Sequence, residues 1–144
     1  MSELTVPSEY YVQCEVITSA NLHRYWWKVV QSIVLERPET ARAYSPQELY
    51  NYYIEQLQGM GDFYEVRLMF GGCPVGMAII IPEQDPHVGV TMSCMVAYAE
   101  PAHRKQAWLI QSLTQIAKAS GVQTISWTHR VSGNKYCIYH RRVR

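Results

Sequence analysis

Residues 90–128 constrain the fold more than any other stretch of the chain. Val90 to Tyr98 (VTMSCMVAY) is rich in β-branched and apolar residues, and Pro101 breaks it. Residues 105–119 then set Leu109, Ile110, Leu113, Ile116 and Ala117 on one helical stripe, with Gly121 placed to close the helix in a left-handed conformation. Val122 to Thr128 (VQTISWT) reads as another strand. Strand, helix and strand in this succession predict a crossover between neighbouring parallel strands, because a tight turn cannot join strands that run the same way.

The remaining segments fit around that unit. Tyr10 to Ile17 (YYVQCEVI) has strand composition, and from Leu22 the period changes to that of a helix, through Tyr25, Trp26, Val29, Val30, Ile33 and Val34, until Pro38 ends it. Ser45-Pro46-Gln47-Glu48 combines a capping box with proline at the first helical position. It opens a second helix whose buried stripe is Leu49, Tyr52, Tyr53 and Leu57 and which stops at Gly59 or Gly61. Tyr64 to Phe70 and Val75 to Ile81 form a hairpin about Gly71-Gly72, where positive φ is needed. Pro82 to His87 reads as a turn before the third strand of a meander, on which Thr91, Ser93 and, less cleanly, Met95 share a face. After Ser132-Gly133-Asn134, Lys135 to Val143 alternates Tyr136, Ile138 and His140 against Cys137, Tyr139 and Arg141, so a last strand is expected. The order is β-α-α-β-β-β-α-β-β, an α/β (α+β) mixed sheet with helices on both faces in a single domain, residues 1–144.

With 48% apolar and 17% charged residues, 11 Tyr and 4 Trp in 144, the chain should pack a core rather than stay disordered. No apolar run is long enough to cross a membrane as a helix, and the opening residues lack a secretory layout, so a soluble, cytoplasmic protein is expected. Cys14, Cys73, Cys94 and Cys137 show no C-x-x-C spacing and read as reduced, mostly buried thiols. The five histidines show no metal-ligand pairing, so no metal is predicted. Charge is split along the chain. The first hundred residues carry all 12 acids against five bases, net −7, whereas the last 44 carry eight bases and no acid, net +8. A strip of Arg130, Lys135, Arg141, Arg142 and Arg144 would favour an acidic protein surface, unless oppositely charged faces only neutralise each other within the fold. Tyr136, Tyr139, Trp127 and His140 interleave with the basic residues, yet nothing resembles a nucleic-acid-binding module. Tyr10, Tyr11, Tyr44, Tyr50, Tyr52 and Tyr53 suit an interface, homo-oligomeric or with a partner, or else half-buried packing. Trp27 and Trp108 read as partly exposed helix anchors.

The hairpin, the strand ending in Val-Ala-Tyr-Ala-Glu-Pro-Ala-His-Arg-Lys-Gln-Ala, and the crossover helix together resemble the GNAT superfamily of acyl-CoA-dependent N-acetyltransferases over nearly the whole chain. The resemblance implies a fourth strand that carries a bulge and splays from the fifth, with a Q/R-x-x-G-x-G/A loop wrapping the pyrophosphate of acetyl-CoA at the next helix N-terminus. Arg104 matches the first residue of that loop, whereas Ala107 and Leu109 stand where glycine and Gly or Ala belong; a branched side chain at Leu109 would point at the cofactor path or force the backbone away. Cofactor contacts are thus implied for Val96, Tyr98, Arg104, Lys105, Gln106, Ala107 and Leu109. By the same resemblance Tyr139 or Tyr136 is the general acid that protonates the leaving thiolate, and Glu100 or His129 the base. In place of the family's closing helix stands the basic segment KYCIYHRRVR. The ending THRVSGNKYCIYHRRVR is similar to small GNAT-like bacteriophage proteins with eroded cofactor loops. That implies, as an alternative to catalysis, a virion, assembly or host-interaction component that docks on phage structural proteins.

Overall fold

A computed structural model describes residues 9–17, 21–104, 107–132 and 135–143. Its elements are β1 (Tyr10–Ile17), α1 (Tyr25–Glu36), α2 (Pro38–Ala43), α3 (Pro46–Leu57), β2 (Phe63–Phe70), β3 (Cys73–Asp85), β4 (Gly89–Ala99), a 3₁₀ turn (Pro101–His103), α4 (Ala107–Ser120), β5 (Thr124–Ser132) and β6 (Lys135–Arg142). Among the described residues the strands form one sheet in the order β1-β2-β3-β4-β5-β6. Every neighbouring pair is antiparallel except β4 and β5, which run parallel across the α4 crossover. The mixed α+β architecture expected from the periodicities is therefore present.

Two element boundaries differ from expectation. Pro38 does not merely end a helix: as residue N1 it opens α2, because its fixed φ suits a first turn whose N–H needs no partner. Pro82 to Asp85 is not a turn either, since β3 stays paired with β4 as far as Asp85. The ladder of β3 with β2 stops at Ile80, so Pro82 sits on strand with one open edge, where a missing N–H is tolerated.

Both faces of the sheet are covered, which is why β3 reads as a nearly continuous apolar run rather than an alternation. On one face Val66, Leu68, Ala78, Ile80, Met92 and Ile125 pack against Trp108, Leu113, Ile116 and Ala117 of α4. On the other, Met77, Ile79, Ile81, Val96 and Tyr98 pack against Trp26, Val29, Val30 and Ile33 of α1 and Leu49 and Leu57 of α3. Trp108 is buried, not a surface anchor, whereas Trp27 is 37% exposed. The tyrosines do not form one surface. Tyr10 packs on Phe70 and His103, while Tyr44, Tyr52 and Tyr53 run as a chain of ring contacts to Trp26. All four cysteines are free; Cys14 and Cys73 are exposed, against the expectation of mostly buried thiols.

Candidate active site

The site is built by an interruption in the sheet. Opposite β3, Ile79 pairs with Val96 and Ile80 with Cys94, which leaves Met95 as an extra residue on β4. A bulge of this kind bends its strand and raises its twist, and it explains why Met95 broke the alternation in the sequence. Beside the bulge the parallel ladder consists of only two rungs, Met92 with Ile125 and Ser93 with Ser126. On its other edge β5 stays paired with β6 from Thr124 to Ser132, well past the end of the parallel ladder. The β5–β6 hairpin thus diverges from β4 as a unit and leaves a V-shaped gap.

Polar side chains pin the closed end of the V. Ser93 Oγ and Ser126 Oγ lie 2.5 Å apart and are buried, and the Thr91 hydroxyl donates to the Thr124 carbonyl oxygen at 3.2 Å. At this apex lies a cavity of about 410 Å³, lined by Ile81, Glu83 and Asp85 of β3, Ser93 to Met95, Ser126 to Thr128, and Ile138 and His140 of β6, among others. Cys94 also borders it, but its side chain packs toward the α4 core, and burial pushes its thiol up to about 12, with only partial relief from the Val96 N–H. Asp85 Oδ1 accepts from the N–H groups of His87 (2.7 Å) and Val88 (3.2 Å), which hold the carboxyl below its usual range, and Asp85 Oδ2 stands 3.7 Å from His140 Nε2.

The open end of the V is organised differently. Tyr98 donates to Glu36 Oε2, and Arg104 is paired with the same carboxylate, lies over the Tyr98 ring and donates from Nε to the Ala99 carbonyl oxygen at 2.8 Å. Burial pushes the Glu36 carboxyl up, but the hydrogen bonds from Tyr98 and Arg104 outweigh it and hold it below its usual value. Glu100 Oε2 accepts from Tyr25 (2.8 Å) and Lys28 (3.2 Å), and burial, then this hydrogen bond, raise the Tyr25 hydroxyl.

The residues singled out in the sequence are therefore not all brought together. Val96 and Tyr98 lie on β4 beyond the bulge, on the α1–α3 face. Glu100 is tied to Tyr25 and Lys28 past the end of β4, and does not line the cavity. Tyr136 lies on the cavity face of β6, its hydroxyl 3.4 Å from Glu39. Tyr139 lies on the opposite face, stacked on Trp127. The His129 and Arg130 backbones pair with Cys137 and Tyr136, and that of Lys135 with Ser132; their side chains lie outside the described residues, as do Lys105, Gln106 and Arg144. Ala107 begins α4 exposed. Leu109 is half-buried and packs on the core under α4. The expected basic strip is divided, since Arg141 lies over the Trp127 ring on the α4 face and Arg142 follows it on the other.

Sequence reasoning missed Glu83, Asp85, Ser93 and Ser126 as site residues, and gave His140 no role there. Their juxtaposition depends on the β3–β4, β4–β5 and β5–β6 registers together, which no local pattern encodes.

No family model matches this sequence, and no curated protein matches it by sequence. Solved structures do match in fold. The aminoglycoside N-acetyltransferase AAC(6')-Iy in complex with CoA is 13% identical with a TM-score of 0.56, over 88% of this chain and 82% of that one. A predicted acetyltransferase with acetyl-CoA from Clostridium acetobutylicum is 14% identical with a TM-score of 0.52, over 85% and 84%. A ribosomal-protein-alanine N-acetyltransferase from Brucella melitensis biovar Abortus 2308 is 18% identical with a TM-score of 0.53, over 83% and 81%. The chain has the fold of the GNAT acetyltransferases.

Proposed function

We propose that this protein is an acyl-CoA-dependent N-acyltransferase, with acetyl-CoA as donor. The observation that carries the reading is the divergence of β4 from β5 after two rungs, beside the Met95 bulge and its cavity. From Cys94 to Ala99 the β5-facing edge of β4 has no strand pairing among the described residues, so its peptide groups can pair with an extended, amide-bearing chain such as pantetheine. When bound, the thioester supplies an activated acyl carbon for attack by an amine.

The chain's own groups divide the remaining work. Arg104 is already engaged by Glu36 and the Ala99 carbonyl oxygen, so the diphosphate falls mainly to the first turn of α4 from Ala107, where N–H groups and the helix dipole favour anions. Tyr136 shares the face of β6 that lines the cavity, whereas Tyr139 does not, which makes Tyr136 our choice of proton donor to the departing thiolate. Its glutamate neighbour can hold the hydroxyl in place between turnovers.

Isothermal titration with acetyl-CoA, followed by a thiol-release assay over a panel of amines, tests the reading. Saturable binding in the micromolar range and amine-dependent thiol release are expected. No binding at millimolar donor overturns it.

A further inference from the structure

The sheet ends at β6, which among the described residues pairs with β5 alone. The Val143 N–H donates to the Gln123 carbonyl oxygen at 2.7 Å, and the ladder with β5 keeps one register from Arg142 back to Tyr136. Antiparallel ladders alternate, so Cys137, Tyr139, Arg141 and Val143 turn their peptide groups toward β5, and Tyr136, Ile138, His140 and Arg142 turn theirs outward. Such a row of unpaired N–H and C=O groups is a template for a further strand. Apolar groups flank it, since Ile138 is 67% and Tyr136 48% exposed, and no proline interrupts Lys135–Arg142.

Charge decides what fits there. β6 carries Lys135, Arg141 and Arg142 and no acid. Arg141 lies over the Trp127 ring on the α4 face and Arg142 stands on the other, and among the described residues neither is paired with a carboxylate. They make no flat patch, but they bracket one strand edge from both faces. We propose that this edge docks an extended, acidic segment of a partner protein, which adds to the six-stranded sheet by backbone pairing, with apolar side chains beside Ile138 and carboxylates beside Arg141 and Arg142. A second copy of the chain fits less well. Its β6 would set three cations against three, and the acid of its β1, Glu15, is already held by Arg67. Docking here needs nothing from the acyl-transfer reading, because peptide groups turned away from β5 are turned away from the gap.

The probe is a fluorescein-labelled peptide, Glu-Asp-Thr-Val-Val-Thr, with Lys-Lys-Thr-Val-Val-Thr as its charge-reversed comparator, both followed by fluorescence anisotropy. Laid antiparallel, the acidic peptide sets its carboxylates beside Arg142 and Arg141 and its valines beside Tyr139 and Ile138. Wild type should bind it at least about tenfold more tightly than the basic one. In NMR amide exchange it should slow Tyr136, Ile138, His140 and Arg142 and leave Cys137, Tyr139 and Arg141 as they were. R141E/R142E, with its fold checked by circular dichroism, should invert the preference. N-methylating the alternate set of peptide amides that faces β6 removes the pairing donors and should abolish binding, whereas methylating the other set should not; this readout needs no variant of the protein. Equal affinity for the acidic and basic peptides, equal binding by the two methylated peptides, or no binding at millimolar peptide overturns the inference. I138P removes an outward N–H and leaves the β5 ladder its donors; self-association of wild type that I138P abolishes, with no peptide bound, overturns the inference in favour of a second copy.

Discussion

Replacing Ser126 with alanine probes the closed end of the V directly. The Ser93 and Ser126 hydroxyls are 2.5 Å apart and 4% and 5% exposed, and among the described residues each is the other's side-chain partner. S126A leaves the Ser93 hydroxyl buried with nothing to bond, which costs about 1–3 kcal/mol, or a fall of roughly 3 °C in melting temperature per kcal/mol for a chain of this size. S93A should cost the same for the mirror-image reason. The double variant removes both hydroxyls and leaves no orphan, so it should be far less destabilised than the two single effects combined. A urea-denaturation cycle over the four proteins should give a coupling of at least about 1 kcal/mol, whereas independent sites add to within about 0.5 kcal/mol. Additive single effects would show that water reaches the apex and that β4 and β5 already separate at the Ser93 rung, which would undo the account of the gap.

Other expectations follow from individual contacts. Glu65 is fully buried, paired with Arg67 and accepting the His23 N–H at 3.0 Å; because Glu15 still pairs with Arg67, E65A should cost about 1–3 kcal/mol in urea melts through the acceptor lost to Arg67 and the His23 N–H, and an unchanged midpoint would contradict the pairing. At Gly76 an added Cβ would lie 3.0 Å from the Tyr98 carbonyl oxygen and 3.3 Å from Ala99 and Leu68 Cβ; G76A should destabilise by about 1–3 kcal/mol through overpacking against backbone, read as a lower denaturation midpoint. Glu36 has a lowered pKa in the fold, so its contribution to stability is present above the ordinary carboxylate range and is lost as pH falls through the lowered value. E36Q should flatten the acid limb of a melting-temperature profile, and an unchanged limb would count against the Tyr98–Glu36–Arg104 clip. Cys94, with its thiol pushed up to about 12, should react with a disulfide reagent far more slowly than exposed Cys73, as mass spectrometry of the labelled peptides would report.

Most element types were legible in the sequence because their causes are local. The stripe from Tyr25 to Ile33 and the capping box of Ser45 and Glu48 are both realised, the second with reciprocal hydrogen bonds at 3.0 and 3.2 Å. Even the bulge left a trace, in the slipped alternation at Met95. Trp108 was misread because a helix shows its stripe but not how far the sheet beneath it extends. That Leu109 packs on the core was not legible, because the residue type at a loop position says nothing of which way the helix is rotated about its axis.

What the amino-acid order determined by itself is the succession of strands and helices, including a crossover that forces two neighbouring strands to run parallel, because periodicity, caps and chain reach act over a few residues at a time. Tertiary structure alone decided where those two strands separate and which side chains face the opening. Asp85 and His140 stand 55 positions apart and meet only because three ladders transmit register across β3, β4, β5 and β6, and one residue of slip in any of them would turn each side chain to the other face.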